Sequence, residues 1–197
     1  MTKSIEFFIS VDVETAGANP ADYALLSIGA CTLEDPPQTF YIELKPTSYK
    51  YQPEALVVSG LSLETLKETG VPAKEALEQF EQWIHRVTPK NMQPIFAAFN
   101  APFDWMFIND YFLRILGHNP FGHKALDIKA LYMGIHKTNW EETSYSKISE
   151  ALGINSPLSH HALDDAVQQA AILKFLLKES GGKSHEQRIS GRAEENS

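Results

Sequence analysis

The sequence predicts an α/β domain built on a mixed β-sheet. Three observations predict it. Three apolar segments open the chain, at Ile5–Val11, Ala24–Leu33 and Thr39–Leu44. Turn signals separate them: "GANPAD", then "EDPPQ" with its Pro36-Pro37 pair. After them, segments with helical periodicity alternate with short apolar stretches, the order that builds α/β folds.

Each element has its own reason. "IEFFISV" is continuously apolar toward its end, as a central strand buried on both faces must be. The short spacing between the second and third segments predicts an antiparallel hairpin. In "SLETLKETGVPAKEALEQFEQWIHRV", Ser62 and Thr65 suit helix caps, Gly70 ends a short helix and Pro72 opens a longer one. Ala76, Leu77, Phe80, Trp83, Ile84 and Val87 recur at helical spacing, which assigns that face to the core. "PIFAAF" reads as a further strand, broken by "NAP"; Pro102 is acceptable in a first helical turn, and "FDWMFINDYFLRIL" reads as a helix ended by Gly117. "KALDIKALYMG" reads as a strand end entering a helix, and "TSYSKISEALG" as a helix with a glycine stop. The last helix, "ALDDAVQQAAILKFLLK", sets Ala162, Leu163, Ala166, Val167, Ala170, Leu173 and Leu177 on one side. The domain is expected over residues 1–179. The polar, aperiodic stretch 180–197 is expected to be a disordered tail.

Composition narrows the function classes. With 43% hydrophobic and 21% charged residues, the chain reads as an ordinary globular protein. No apolar run reaches the roughly 18 residues of a membrane span, and "MTKSIEFF" lacks the pattern of a secretory signal. A single cysteine, Cys31 in "SIGACTLE", reads as a small core residue and fits a reducing compartment, so a cytoplasmic location is expected. The net charge of −8 argues against a long basic track for duplex nucleic acid. Four acids gathered around cations would distort that count.

The sharpest local feature is "FFISVDVETAGA". Asp12 and Glu14 sit two residues apart at the end of an apolar strand, so they face the same side roughly 7 Å apart. Two ionised carboxylates on a dry face repel. Residues 4 to 44 contain no Lys or Arg to neutralise them. A hard divalent cation with oxygen ligands is the natural counter-charge. Further on, Asp104 stands in the first turn of a helix, where the helix N-terminus alone could account for it. "LSHHALDDAV" adds two histidines and two aspartates; i,i+4 spacing pairs His160 with Asp164, or His161 with Asp165.

Taken in order, Asp12-x-Glu14-Thr15, Asn100-x-x-Phe103-Asp104 and His160-x-Ala162-x-x-Asp165 resemble the motifs of the DEDDh exonucleases. That 3′–5′ exonuclease superfamily includes the proofreading subunit of bacterial DNA polymerase III, ribonuclease T and oligoribonuclease. The resemblance covers about Ile5 to Leu177. It implies a ribonuclease H-like fold, a five-stranded mixed β-sheet flanked by α-helices. It implies two divalent metal ions, Mg²⁺ or Mn²⁺, on Asp12, Glu14, Asp104 and Asp165, with Glu14 bridging and His160 as general base. His161 and Asp164 are then supporting or solvent-facing. Asp127 in "ALDIKALY" is supporting, because Ile128 replaces the family's usual Thr. Substrate contacts are implied at Thr15, Ala16, Gly60, Leu61, Asn100 and Phe103; Ala16 stands where the family usually has Thr.

The implied reaction is hydrolysis of phosphodiesters at the 3′ end of single-stranded or short nucleic acid, RNA or DNA, releasing nucleoside 5′-monophosphates. Relatives of this kind are often homodimers, and that expectation is carried over. Two rival readings stand beside it: a non-catalytic module that binds a nucleic-acid end or a protein, and a metal-dependent phosphatase acting on small phosphorylated molecules. The complete set of five motif residues argues against an inactive scaffold.

Overall fold

The computed structural model describes the backbone over residues 5–154 and 159–194, and side chains from Glu6 to Gly181 apart from residues 155–158. Among these residues lie five strands: β1 (Ile5–Thr15), β2 (Leu25–Thr32), β3 (Thr39–Glu43), β4 (Met92–Ala98) and β5 (Ala125–Asp127). The α-helices are α1 (Pro53–Ser59), α2 (Leu63–Thr69), α3 (Ala73–Val87), α4 (Ala101–Tyr111), α5 (Ile128–His136), α6 (Tyr145–Ala151) and α7 (Ala162–Glu194). The tail expected over 180–197 falls largely outside the described side chains.

The strands form one mixed sheet in the order β3-β2-β1-β4-β5. β1 pairs antiparallel with β2, and β2 with β3, as the hairpin reading expects. β1 and β4 run parallel, as do β4 and β5. β1 is therefore the central strand. Its odd positions Ile9, Val11 and Val13 enter a core shared with α3 and α4. Its even positions face the other side, where Ser10, Asp12 and Glu14 meet α7, which packs across β1 and β2. Strand alternation thus sends the apolar set one way and both acids the other.

The predicted apolar face of α3 is the buried one, with Ala76, Leu77, Phe80, Trp83, Ile84 and Val87 all inside. Phe80 anchors this core, stacked on Phe40 with ring centres 4.9 Å apart. The helix read through "FLRIL" continues past α4 as a π-helical turn over Phe112–Leu116 and stops at Gly117, where φ is 78°. Two elements depart from the sequence reading. α1 was not anticipated, because none of its residues is buried and no apolar periodicity marks it. On α7, Val167 is exposed, while Asp165 and Gln169 are buried beside Ala162, Ala166, Ala170 and Leu173. The helix turns a partly polar face inward because that face meets the acids of β1.

Candidate active site

The site forms where β1 ends. Asp12 and Glu14 project from β1 toward α7, and the first turns of α7 bring Asp165 to them. One carboxylate oxygen from each of these three residues lies within 4.8 Å of the others. Gly29, the β2 partner of Asp12, makes this approach possible. A Cβ there would stand 2.1 Å from the Ala162 carbonyl carbon and 2.2 Å from the Leu163 nitrogen, so only glycine lets α7 start this close to the sheet.

Asp104 lies beside the three. From the first turn of α4 its Oδ1 accepts the Val13 N–H at 3.1 Å, between the two β1 acids. The αL conformation of Asn100 (φ 68°) turns the chain sharply from β4 into α4 and so delivers Asp104. Asp127 caps α5, accepting the Lys129 and Ala130 N–H groups.

The cluster is electrostatically loaded. Burial and the charge of Asp165 push the Asp12 carboxyl up to about 7, with the Gln169 hydrogen bond pulling the other way. Burial and the charges of Asp12 and Asp165 push Glu14 up to about 8. Burial and the charge of Asp12 hold Asp104 well above the usual carboxylate range. Among the described residues, no Lys, Arg or His forms an ion pair with any of the four acids. Converging oxygen donors whose charge has no protein partner fit hard divalent cations.

The two histidines have different surroundings. His161 stacks on Tyr41 of β3, ring centres 4.5 Å apart, and its Nδ1 lies 3.6 Å from Asp164 Oδ2. His160 is exposed with φ 57°, and its imidazole takes no hydrogen-bond partner among the described residues. Asp165 shapes this turn. Its Oδ1 accepts the Ser159 N–H at 2.8 Å and the Ser159 hydroxyl at 3.2 Å, and its Oδ2 accepts the His160 N–H at 3.1 Å.

A cleft of about 270 Å³ opens beside Glu14, lined by Val13, Glu14, Thr15, Glu54, Ala55, Val58 and Phe103. Of the expected substrate contacts, Thr15 and Phe103 line it. Ala16 is buried behind it with Leu61 packed nearby, Gly60 ends α1 with φ 66°, and Asn100 is exposed at the head of α4. Sequence reasoning missed the α1 wall, Gly29 and Gln169. A glycine inside an apolar strand, and a glutamine one turn beyond Asp165, were the available signals.

Comparison with known proteins gives the class: the chain is a 3′–5′ exonuclease, on a ribonuclease H-like fold shared with a DEDDh-family nuclease domain. Its family is narrower. The 3′-5′ exoribonuclease Rv2179c-like domain matches residues 8–177, and the chain belongs to that family. It is 44% identical over 178 residues to the 3′-5′ DNA exonuclease Cap18 of Escherichia coli, covering 90% of this chain and 95% of that one. It is 30% identical over 190 residues to ribonuclease T of Yersinia pestis, covering 88% and 87%. Among solved structures it resembles the nuclease domain of 3′hExo bound to rAMP, with TM-score 0.73 and 15% identity, covering 89% of this chain and 93% of that one. It also resembles E. coli Exonuclease I in complex with a dT13 oligonucleotide, with TM-score 0.70 and 18% identity; there the chain spans 43% of the longer protein.

Proposed function

We propose that the chain removes nucleotides one at a time from the 3′ end of single-stranded or short nucleic acid, with DNA as the preferred substrate, and releases nucleoside 5′-monophosphates. The observation that carries the reading is the convergence of Asp12, Glu14 and Asp165 within 4.8 Å beside an open cleft. The family model describes an exoribonuclease domain; the 44% identity to a DNA exonuclease, against 30% to ribonuclease T, is what supports the preference for DNA.

Asp12, Glu14 and Asp165, with Asp104 beside them, would hold two divalent ions, Mg²⁺ or Mn²⁺. When bound, such ions supply an acidified water and charge stabilisation for the leaving 3′ oxygen. Glu14, which also lines the cleft, would be the ligand that faces the substrate. Thr15 and Phe103 receive the terminal nucleotide, with the Phe103 ring offering a stacking face that suits any base. Water attacks the phosphorus and the P–O3′ bond breaks. His160 takes the proton of the attacking water, and the leaving oxygen takes a proton from solvent to become the new 3′-hydroxyl. An exposed imidazole on the turn that Asp165 holds by the His160 main-chain N–H suits that task. The reading extends to a cytoplasmic location, supported by the free buried thiol of Cys31, and to a homodimer, as the family resemblance implies. Light scattering would give a homodimer twice the 22.1 kDa chain mass.

The test uses 5′-labelled single-stranded DNA and RNA oligonucleotides with Mg²⁺, Mn²⁺ or chelator. A ladder shortening from the 3′ end is expected, faster on DNA and lost with chelator or in Asp12→Ala. Internal cuts, or turnover unchanged in Asp12→Ala, would reject the mechanism.

A further inference from the structure

Gln169 is a long polar side chain only 2% exposed, one helical turn beyond Asp165 on α7. Both ends of its amide are used. Its Oε1 accepts the Phe99 N–H at 2.8 Å, and its Nε2 donates to Asp12 Oδ1 at 2.5 Å. Phe99 is the residue between β4 and Asn100, where the chain turns toward Asp104. One amide therefore joins α7, the metal-facing carboxylate of β1 and the turn into α4.

The chemistry of the two bonds makes the arrangement directional. A main-chain N–H can only donate, so it fixes the carbonyl end of the amide at Phe99. The NH₂ end then has to face Asp12. A flipped amide would set oxygen against oxygen at Asp12 and N–H against N–H at Phe99. Asp12 Oδ1 is thus held by a buried donor whose own position is set by the sheet. Among the described residues, Oδ2 receives no donor from the protein. Ligands held by such partners lose affinity when the partner is removed, by about 10- to 100-fold at other metal centres.

We propose that Gln169 is a positioning residue: it fixes the Asp12 carboxylate for cation binding and ties that carboxylate to the turn that delivers Asp104. This rests on the functional reading above, in which Asp12 is a metal ligand. Gln168 supplies an internal control. It lies on the same helix and its Oε1 accepts the Tyr145 hydroxyl at 2.8 Å, so its loss costs a hydrogen bond without touching Asp12.

The experiment measures Mn²⁺ binding to the metal-free full chain by calorimetry, alongside kcat and KM on an oligonucleotide. Gln169→Met keeps the side-chain length and removes both bonds. It is expected to weaken Mn²⁺ by about 10-fold, to lower kcat at a fixed low Mn²⁺ concentration, and to leave the oligonucleotide KM at saturating Mn²⁺ within about twofold. Hydrogen exchange at the Phe99 amide should quicken. Gln168→Met should bind Mn²⁺ as the wild type does. If Gln169→Met binds Mn²⁺ normally while Asp12→Asn does not, the role of Gln169 is overturned and the functional reading survives. If both glutamine variants weaken Mn²⁺ equally, the effect is general loosening of α7 and the proposal also fails. If Asp12→Asn itself binds Mn²⁺ normally, the metal reading falls with it. Should Gln169→Met not fold, the wild type decides: Mg²⁺ should shift the side-chain amide resonance of Gln169 and leave that of Gln168 in place, and an unmoved Gln169 signal would overturn the proposal.

Discussion

Burial and neighbouring carboxylates push Asp12 up to about 7 and Glu14 up to about 8 in the metal-free protein, so both take up protons as pH falls toward about 6. A divalent ion must displace those protons, so its affinity rises with pH through that range. Calorimetry should show Mn²⁺ binding tighter at about pH 8.5 than at about pH 6, with proton release visible as a dependence on buffer ionisation heat. Affinity independent of pH would contradict the assigned cluster. On the substrate side, Phe103→Ala should raise KM by roughly 5- to 100-fold, the worth of one stacked base, with kcat far less affected. An unchanged KM would return Phe103 to a packing role against Phe107. The pairing of Asp12 with Glu14 was legible in the sequence because two acids closing an apolar strand call for a counter-charge. Gln169 was not: a glutamine on a helix reads as solvent-facing until the fold shows which side of α7 meets the sheet. His160 and Asp165 had to be chosen by resemblance. Spacing alone pairs His161 as readily, and it took the fold to show His161 stacked on Tyr41.

Among elements, the contact of α7 with β2 at Gly29 governs how the site assembles. Gly29→Ala would drive a methyl group into the helix backbone, which cannot move aside as a side-chain tip can. The expected cost is about 1–3 kcal/mol, read by chemical denaturation, together with weaker Mn²⁺ binding because Asp165 is carried away from β1. Loss of stability without loss of metal affinity would show that α7 re-seats elsewhere. Strands and the longer helices could be read from periodicity because each buries an apolar face, as the agreement at α3 shows. α1 could not, since no side chain of it is fully buried and only Leu56 packs against the cluster around Leu66. The face of α7 was misread at Val167 for the converse reason: its inward side carries Asp165 and Gln169, which a hydrophobicity count assigns to solvent.

For the whole molecule, the acid cluster makes stability and readiness for catalysis oppose each other. Asp12 and Glu14 titrate at ordinary carboxylate values when unfolded and at raised values when folded, so between about pH 4 and pH 8 the folded chain binds more protons. Stability of the metal-free protein is therefore fully present at the acid end of that window and is lost as pH rises through the folded values. Melting temperature in chelator should fall from about pH 5 to pH 8.5, and Mn²⁺ should restore it at the alkaline end, by about 2.7 kcal/mol at one hundred times its dissociation constant. A metal-free melting temperature that climbs over this range would refute the linkage. The architecture itself was readable at this scale because the order of segments restricts the topology severely. The convergence of chain-distant acids on one point was supplied by the sheet order.

The helix that forms one wall of the cleft contributes Glu54, Ala55 and Val58 yet has no buried side chain, with Val57 82% exposed. Leu56 and the Gln52 N–H bond to the Ala16 carbonyl hold this wall in place, while its exposed positions can be changed at little thermodynamic penalty. Descendants of this chain could therefore drift from one kind of polynucleotide terminus to another by altering a few surface positions, keeping the same hydrolytic apparatus throughout.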